Sequence, residues 1–203
     1  MLGTSLGWGQ VAVQLEVERM QYLSHERVMG VVTITNRSGG ELSFESKISG
    51  GVTRSWLNFS MRDSSGRTKP VLLHSVFRKA VLPAGRSISR EVDLSRLFSV
   101  SAMGNYSVTA HVTLLDGDGS SYTSNSGHFT VGGGNTIFTQ NFGVPKSGAP
   151  KRTYNVISFN DGKRTSIYAQ VMNVTTGRSI STFRISEYLT FSRPQIAIDT
   201  KNQ

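Results

Sequence analysis

Two basic pairs, Lys151-Arg152 and Lys163-Arg164, are the side chains whose type and spacing point most directly to a binding chemistry. Cations this close attract polyanions. The aromatics set among them, in Arg152-Thr153-Tyr154, Arg164 to Tyr168 and Phe183-Arg184, have faces that stack on sugars or bases, although on strands such rings more often fill a core. The formal net charge is +9, and residues 132 to 203 hold 9 Lys and Arg against 3 Asp and Glu, so this C-terminal part carries +6 of it. The cations are scattered as singles and pairs, with no long run. A partner protein, a second copy of the chain or an acidic glycan is therefore expected at Lys151, Arg152, Lys163 and Arg164, and nucleic acid is not.

The other residue types argue against catalysis. His25, His74, His111 and His128 stand apart, in none of the His-x-x-x-His or His-Glu-x-x-His spacings that put two nitrogens on one metal. Zero Cys removes thiol nucleophiles, thiolate ligands and disulfides. No Gly-x-Ser-x-Gly elbow bridges a strand and a helix, and the acids form no recognisable catalytic pair. Asp116-Gly117-Asp118-Gly119 alternates carboxylates as a calcium loop does, but that loop closes on a Glu about a dozen residues in, and Gly127-His128 stands there. A hairpin turn reads better, since Asp-Gly is a favoured turn dipeptide. Asn36-Arg37-Ser38, Asn58-Phe59-Ser60, Asn105-Tyr106-Ser107 and Asn173-Val174-Thr175 spell glycosylation acceptors, in a chain so rich in Ser and Thr that chance accounts for them. No catalytic residue, cofactor or metal is expected.

Hydrophobic content of 37% with 17% charged residues is that of a globular chain, and no window holds the 18 or more apolar residues of a membrane helix. Gly3 to Gly9 reads as a flexible leader or the remnant of a signal peptide, which places residues 1–10 outside the fold and the protein in the periplasm, on the cell surface or outside the cell.

The elements that must position these residues read as strands. Period-2 patterns predict Val11 to Leu23, Arg27 to Thr35, Leu42 to Ile48, Trp56 to Asp63, Thr68 to Phe77, Ser87 to Leu94, Asn105 to Leu115 and Ser121 to Val131. One helical turn is expected over Asp93 to Phe98, capped by Asp93 or Ser95. Gly132-Gly133-Gly134 reads as a linker. Beyond it, Thr136 to Phe142, Tyr154 to Phe159, Ser166 to Asn173, Ser179 to Ile185 and Gln195 to Asp199 predict a small β-rich region with few bulky residues. So thin a core argues that this region packs on another sheet or another chain. Its pattern also resembles one propeller blade with the first strand of a next, though no repeat is visible.

Met103-Gly104-Asn105-Tyr106-Ser107-Val108 has the form of a corner in which Gly turns the chain and the Tyr hydroxyl reaches back to the preceding loop. With Val28 to Asn36 and Asp93 to Val108, it carries a resemblance of residues 11–131 to bacterial immunoglobulin-like domains, among them a small intracellular proteinase inhibitor and protease-associated β-domains. The whole is also similar to surface or pilus-associated sandwich proteins of Gram-negative gut bacteria. The resemblance implies an all-β antiparallel sandwich over residues 11–131, followed by a Gly-rich linker and a small β-region over residues 132–203. It further implies a non-enzymatic structural or adhesion module. The alternative is a proteinase inhibitor or protease-associated domain acting through Ser64 to Lys69 or Leu82 to Arg86, and a glycan-processing enzyme is a third reading.

Overall fold

Alternating burial makes the strands. In β1 (Val11–Val17) the buried residues are Val11, Val13 and Leu15, with Gln14 and Glu16 exposed. After the short β2 (Gln21–Leu23), β3 (Met29–Asn36) buries Gly30, Val32, Ile34 and Asn36. There follow β4 (Leu42–Phe44), β5 (Lys47–Ser49), β6 (Val52–Arg54), β7 (Leu57–Asp63), β8 (Ala80–Leu82) and β9 (Ser87–Asp93). A single turn of helix, α1 (Leu94–Leu97), leads to β10 (Gly104–Thr113), β11 (Ser121–Thr123) and β12 (Gly127–Gly132). The last strands are β13 (Asn135–Phe142), β14 (Arg152–Asn160), β15 (Thr165–Asn173) and β16 (Ser179–Glu187). The computed structural model describes residues 10–50, 52–73, 77–115, 119–142 and 151–188. The protein is all-β with antiparallel sheets, and among the described residues no helix is long and apolar enough to cross a membrane.

The chain divides into two units, residues 1–20 with 28–131 and residues 21–27 with 132–203. In the first, β3 is flanked by β1 and β9, in a register that sets Val13 and Ile88 beside Ile34. In the second sheet of this unit β10 is central. One of its edges pairs with β7, Val108 opposite Met61, and the other with β12 and then β11, Tyr106 opposite Phe129 and Val112 opposite Tyr122. The inner faces share a core of Leu15, Val32, Ile34, Leu57, Met61, Val108 and Phe129, all nearly inaccessible. A Cβ at Gly127 would lie 2.8 Å from Val17 Cγ2 and 3.5 Å from Leu15 Cδ2, so a glycine there lets β12 approach β1 closely. Trp56 packs on Phe44 with ring centroids 5.3 Å apart and donates its indole N–H to the Arg78 carbonyl at 3.3 Å. A buried side chain of this size contributes about 1.5–3 kcal/mol.

The Tyr106 corner has the expected form. Its hydroxyl donates to the Ala102 carbonyl at 2.7 Å, its ring stacks on Phe129 at 5.4 Å, and Gly104 turns the backbone at φ +144. At α1, Asp93 is the cap: its carboxylate accepts the Ser95 backbone N–H at 3.1 Å, and the helix ends where Phe98 returns to extended backbone. Thr68 to Phe77 departs from expectation. Its described residues form no strand, only isolated bridges of Thr68 to Arg62 and Val71 to Phe98. Pro70 lacks the N–H a ladder needs, and the flanking amides of Lys69 and Leu72 bond instead to Met61 and Leu97.

The second unit is a four-stranded meander in the order β13-β14-β15-β16, with the early segment 21–27 attached to it. Leu23 clusters with Ile157, Phe159 and Tyr168, so a segment that reads as the end of the first strand belongs to this core. Two of the three glycines have close neighbours. Gly132 closes β12, and a Cβ at Gly134 would meet Ile157 Cγ2 at 2.3 Å, the Ser158 carbonyl at 2.8 Å and Leu23 Cδ1 at 3.1 Å. The Gln195 to Asp199 strand expectation lies outside the described residues.

Candidate functional site

The register of the meander assigns each side chain of the second unit to one of two faces, because residues paired across antiparallel strands point the same way. One face carries Ile157 beside Tyr168 and Phe159 beside Ser166, all buried. Further along it, a polar row crosses all four strands. Thr139 donates to Asn155 at 2.6 Å, Asn155 to Gln170 at 3.3 Å, and Gln170 to Thr182 at 3.2 Å. Each member satisfies the next, which lets Gln170 be 8% exposed without an orphaned amide.

The opposite face is mixed, carrying Gln140, Ser158 and Ser181 beside a buried Ile167 and one wholly apolar row. Phe138, Val156, Ala169 and Phe183 form one row across the four strands, and Tyr154 and Val171 sit in the next. Phe138, Tyr154, Val156, Ala169 and Val171 are half-buried, and Phe183 is 52% exposed. Ile180 and Ile185, at irregularities of the edge strand β16, are exposed as well. Burying such a strip against a partner is favourable by about 25 cal/mol per Å².

The four basic candidates are not one cluster. Arg152 opens β14 with Lys151 just before it, whereas Lys163 and Arg164 lie in the turn after it, about 26 Å away along the strand at about 3.3 Å per residue. That turn is built by side chains: Asp161 accepts the backbone N–H of Lys163 and Arg164, and Asn160 that of Gly162. Arg164 is committed to Glu187 at 2.5 Å, and Arg184 reaches the same oxygen at 3.2 Å. The Arg164 hydrogen bond, then its charge, hold the Glu187 carboxyl below its ordinary value. At the other end the meander adds a cation that sequence reading passed over. Arg152 pairs with Asn173, and the Asn173 N–H donates to the Arg178 carbonyl at 2.9 Å, so Arg178 lies one strand beyond Arg152. Lys151, Arg152 and Arg178 are all exposed, and the described acids of the sheet, Asp161 and Glu187, both belong to the far end. Counting registers outward from the Thr175-Thr176-Gly177 turn would have found Arg178.

In the first unit, Ser60 Oγ lies 2.8 Å from His111 Nε2, and His111 Nδ1 lies 3.2 Å from Thr123 Oγ1. This pairing of β7, β10 and β11 was not legible from spacing. It has the outline of a nucleophile and base, but a Thr hydroxyl stands where a carboxylate would orient the ring. The one Gly-x-Ser-x-Gly spelling, Gly3-Thr4-Ser5-Leu6-Gly7, lies outside the described residues, as do His74 and Asp116 to Asp118. Among the described residues no three His, Asp or Glu gather as metal ligands. Asn36 is fully engaged, its amide donating to the Gly40 and Leu82 carbonyls at 2.8 Å and accepting from Ser38, so its acceptor spelling serves a loop.

No family model and no curated protein matches the chain. Solved structures are similar in backbone. One is the Pseudomonas fluorescens alkylpurine DNA glycosylase AlkC bound to DNA containing an abasic site analog, with TM-score 0.38, 15% identity, and coverage of 60% of this chain and 30% of that one. The chain thus spans under a third of the glycosylase. Another is Spo0M, a sporulation control protein from Bacillus subtilis, with TM-score 0.38, 12% identity, and coverage of 89% of this chain and 90% of that one. Similarity at this level carries no argument about function.

Proposed function

We propose that the protein is a non-enzymatic structural or adhesion module of the bacterial envelope or cell surface, exported and in the setting of pilus-like assemblies, whose C-terminal sheet binds a partner protein or another copy. The observation that carries this is the apolar row of half-buried Phe138, Val156 and Ala169 with exposed Phe183, continued by exposed Ile180 and Ile185 on an edge strand. Exposed apolar faces of this kind mark interaction surfaces. An immunoglobulin-like identity for the first unit is supported by its strand orders, β1-β3-β9 and β7-β10-β12, which follow the ABE and CFG orders of such sandwiches, and by the Tyr106 corner. Lys151, Arg152 and Arg178 give the sheet one basic end, suited to an acidic glycan.

The test is retention of envelope proteins and of heparin by wild type, Phe183→Asp and the triple reversal Lys151→Glu, Arg152→Glu, Arg178→Glu. Phe183→Asp should lose the protein partner, and the triple variant should elute early from heparin, where wild-type binding fades as the Debye length shortens from about 10 Å at 0.1 M salt to about 3 Å at 1 M. Equal behaviour of all three proteins rejects the proposal.

A second reading, protease inhibition, is favoured by the Ser64 to Lys69 loop. Asp63 accepts the backbone N–H of Ser65 and Arg67 at 3.0 and 3.1 Å, and the Arg67 side chain is 81% exposed. Such bracing lowers the ordering cost of binding. Stoichiometric inhibition of a trypsin-like protease, lost in Arg67→Ala, would favour it; unimpeded proteolysis would dismiss it.

A further inference from the structure

Among the described residues, the outer edge of β1 has no strand beside it, and what it leaves open defines a ligand. The Glu18 N–H donates to the Met29 carbonyl and the Arg37 N–H to the Gln10 carbonyl, so even-numbered residues of this strand turn their backbone groups toward β3. The odd-numbered residues turn outward. At Leu15 those outward groups are satisfied by one side chain: Asn125 accepts the Leu15 N–H at 2.9 Å and donates to the Leu15 carbonyl at 2.9 Å. The amide of Asn125 thus does what one residue of a neighbouring strand would do. Among the described residues nothing does this for Val11 or Val13, since β1 pairs with β3 alone. Beside them runs an open groove of about 630 Å³, lined by Val11, Val13, Gln14, Thr33, Thr123 and Asn125. Its far wall is β11, whose Ser120 carbonyl and Ser124 N–H bond to β10, leaving the intervening odd residues Ser121 and Thr123 to face away from β10.

We propose that this groove binds an extended polypeptide segment of another protein, added as a strand along Val11 to Gln14 and stopped at Leu15 by Asn125. Main-chain donors and acceptors in a row select an extended backbone over a sugar, a nucleotide or a helix. The available length is about four residues, or about 13 Å. Ala12, Val31 and Thr33 on the adjoining face offer shallow contacts, so side chains of the ligand are small or β-branched. A second copy is a poorer occupant: an isologous approach edge to edge sets each copy's Asn125 and β11 wall against the other's. The site lies wholly in the first unit and stands or falls apart from the role of the C-terminal sheet.

The probe is a fluorescein-labelled synthetic peptide of the β3 sequence, Met29 to Asn36, which already complements the inner edge of β1. Binding should be saturable and should slow amide exchange at Val11 and Val13 by about tenfold or more. Peptides N-methylated at alternate residues should lose binding in at least one phase. Thr123→Trp, at an exposed position, should fill the groove and abolish binding while leaving the circular dichroism unchanged. No slowing at these amides up to about 1 mM peptide, or equal binding of the parent and both N-methylated peptides, overturns the proposal. So does a free protein that light scattering finds dimeric with Val11 and Val13 already protected, which assigns the edge to a second copy.

Discussion

The first unit covers the apolar faces of its sheets with each other, whereas the second has one sheet that buries Ile157, Phe159 and Tyr168 on one side and, among the described apolar residues of the other, only Ile167. In the first, Trp56, Phe44, Val32, Ile34, Met61 and Val108 are fully enclosed between two layers. In the second, Ile157, Phe159 and Tyr168 are enclosed only with the help of Leu23, and the other side leaves Phe183, Ile180 and Ile185 more than half exposed. A strand face needs a second layer before its apolar residues contribute fully. The difference teaches that the second unit recruits part of its layer from residues 21–27 and leaves Phe183, Ile180 and Ile185 exposed, the surface proposed above to meet a partner.

Leu23→Ala should break this arrangement most severely. Removing a buried Leu costs about 2–5 kcal/mol, and the loss should fall on the second unit although Leu23 lies early in the chain. Calorimetry should show one transition lowered while the transition followed by Trp56 fluorescence stays in place. A uniform loss across both would contradict the assignment of residues 21–27. Gly134→Ala comes next, at about 1–3 kcal/mol, because the added Cβ meets the Ser158 carbonyl, which cannot rotate away. Urea titration of the second transition measures it, and a change of a few tenths would show the strands to be looser than described.

Tyr106→Phe sharpens the comparison from the other side. It should cost the first unit about 1 kcal/mol, from the orphaned Ala102 carbonyl, and leave the second unit unaffected. The smallest effect is a pH dependence. Partial desolvation holds the otherwise exposed His25 imidazole below its ordinary 6.5, so the fold favours the neutral ring slightly. Below pH 6.5 the unfolded chain takes up a proton that the folded one resists, so this contribution is complete above that pH and is lost as pH falls through the folded value. The melting temperature of the second unit should fall more between pH 7.5 and 5.5 in wild type than in His25→Asn, a substitution that tolerates the local φ of +67. Identical slopes would remove His25 from the account.

The strands were legible because burial alternates along them, as in Tyr106, Val108, Ala110 and Val112. The corner was legible because Gly104 and Tyr106 carry its geometry locally, and so was the cap at Asp93. What the sequence hid depends on distant pairing. Nothing near Leu23 tells that it meets Tyr168, and Gly132 to Gly134 spells a flexible linker whether the chain is slack or pressed against Ile157. Thr68 to Phe77 carried a strand's apolar residues, but Pro70 and the amides beside it served other partners. At the candidate site, residue type gave the four cations, but only the register separates Lys151 and Arg152 from Lys163 and Arg164, pairs Arg164 with Glu187, and adds Arg178.

The most direct test of the C-terminal sheet as a binding surface is a side-by-side comparison of wild type and Phe183→Asp by light scattering and by capture from envelope extract, with melting curves as the control. The account predicts that wild type either forms an assembly or retains a protein, that Phe183→Asp does neither, and that both melt alike because Phe183 is 52% exposed. A wild type that stays monomeric and captures the same material as Phe183→Asp would contradict it.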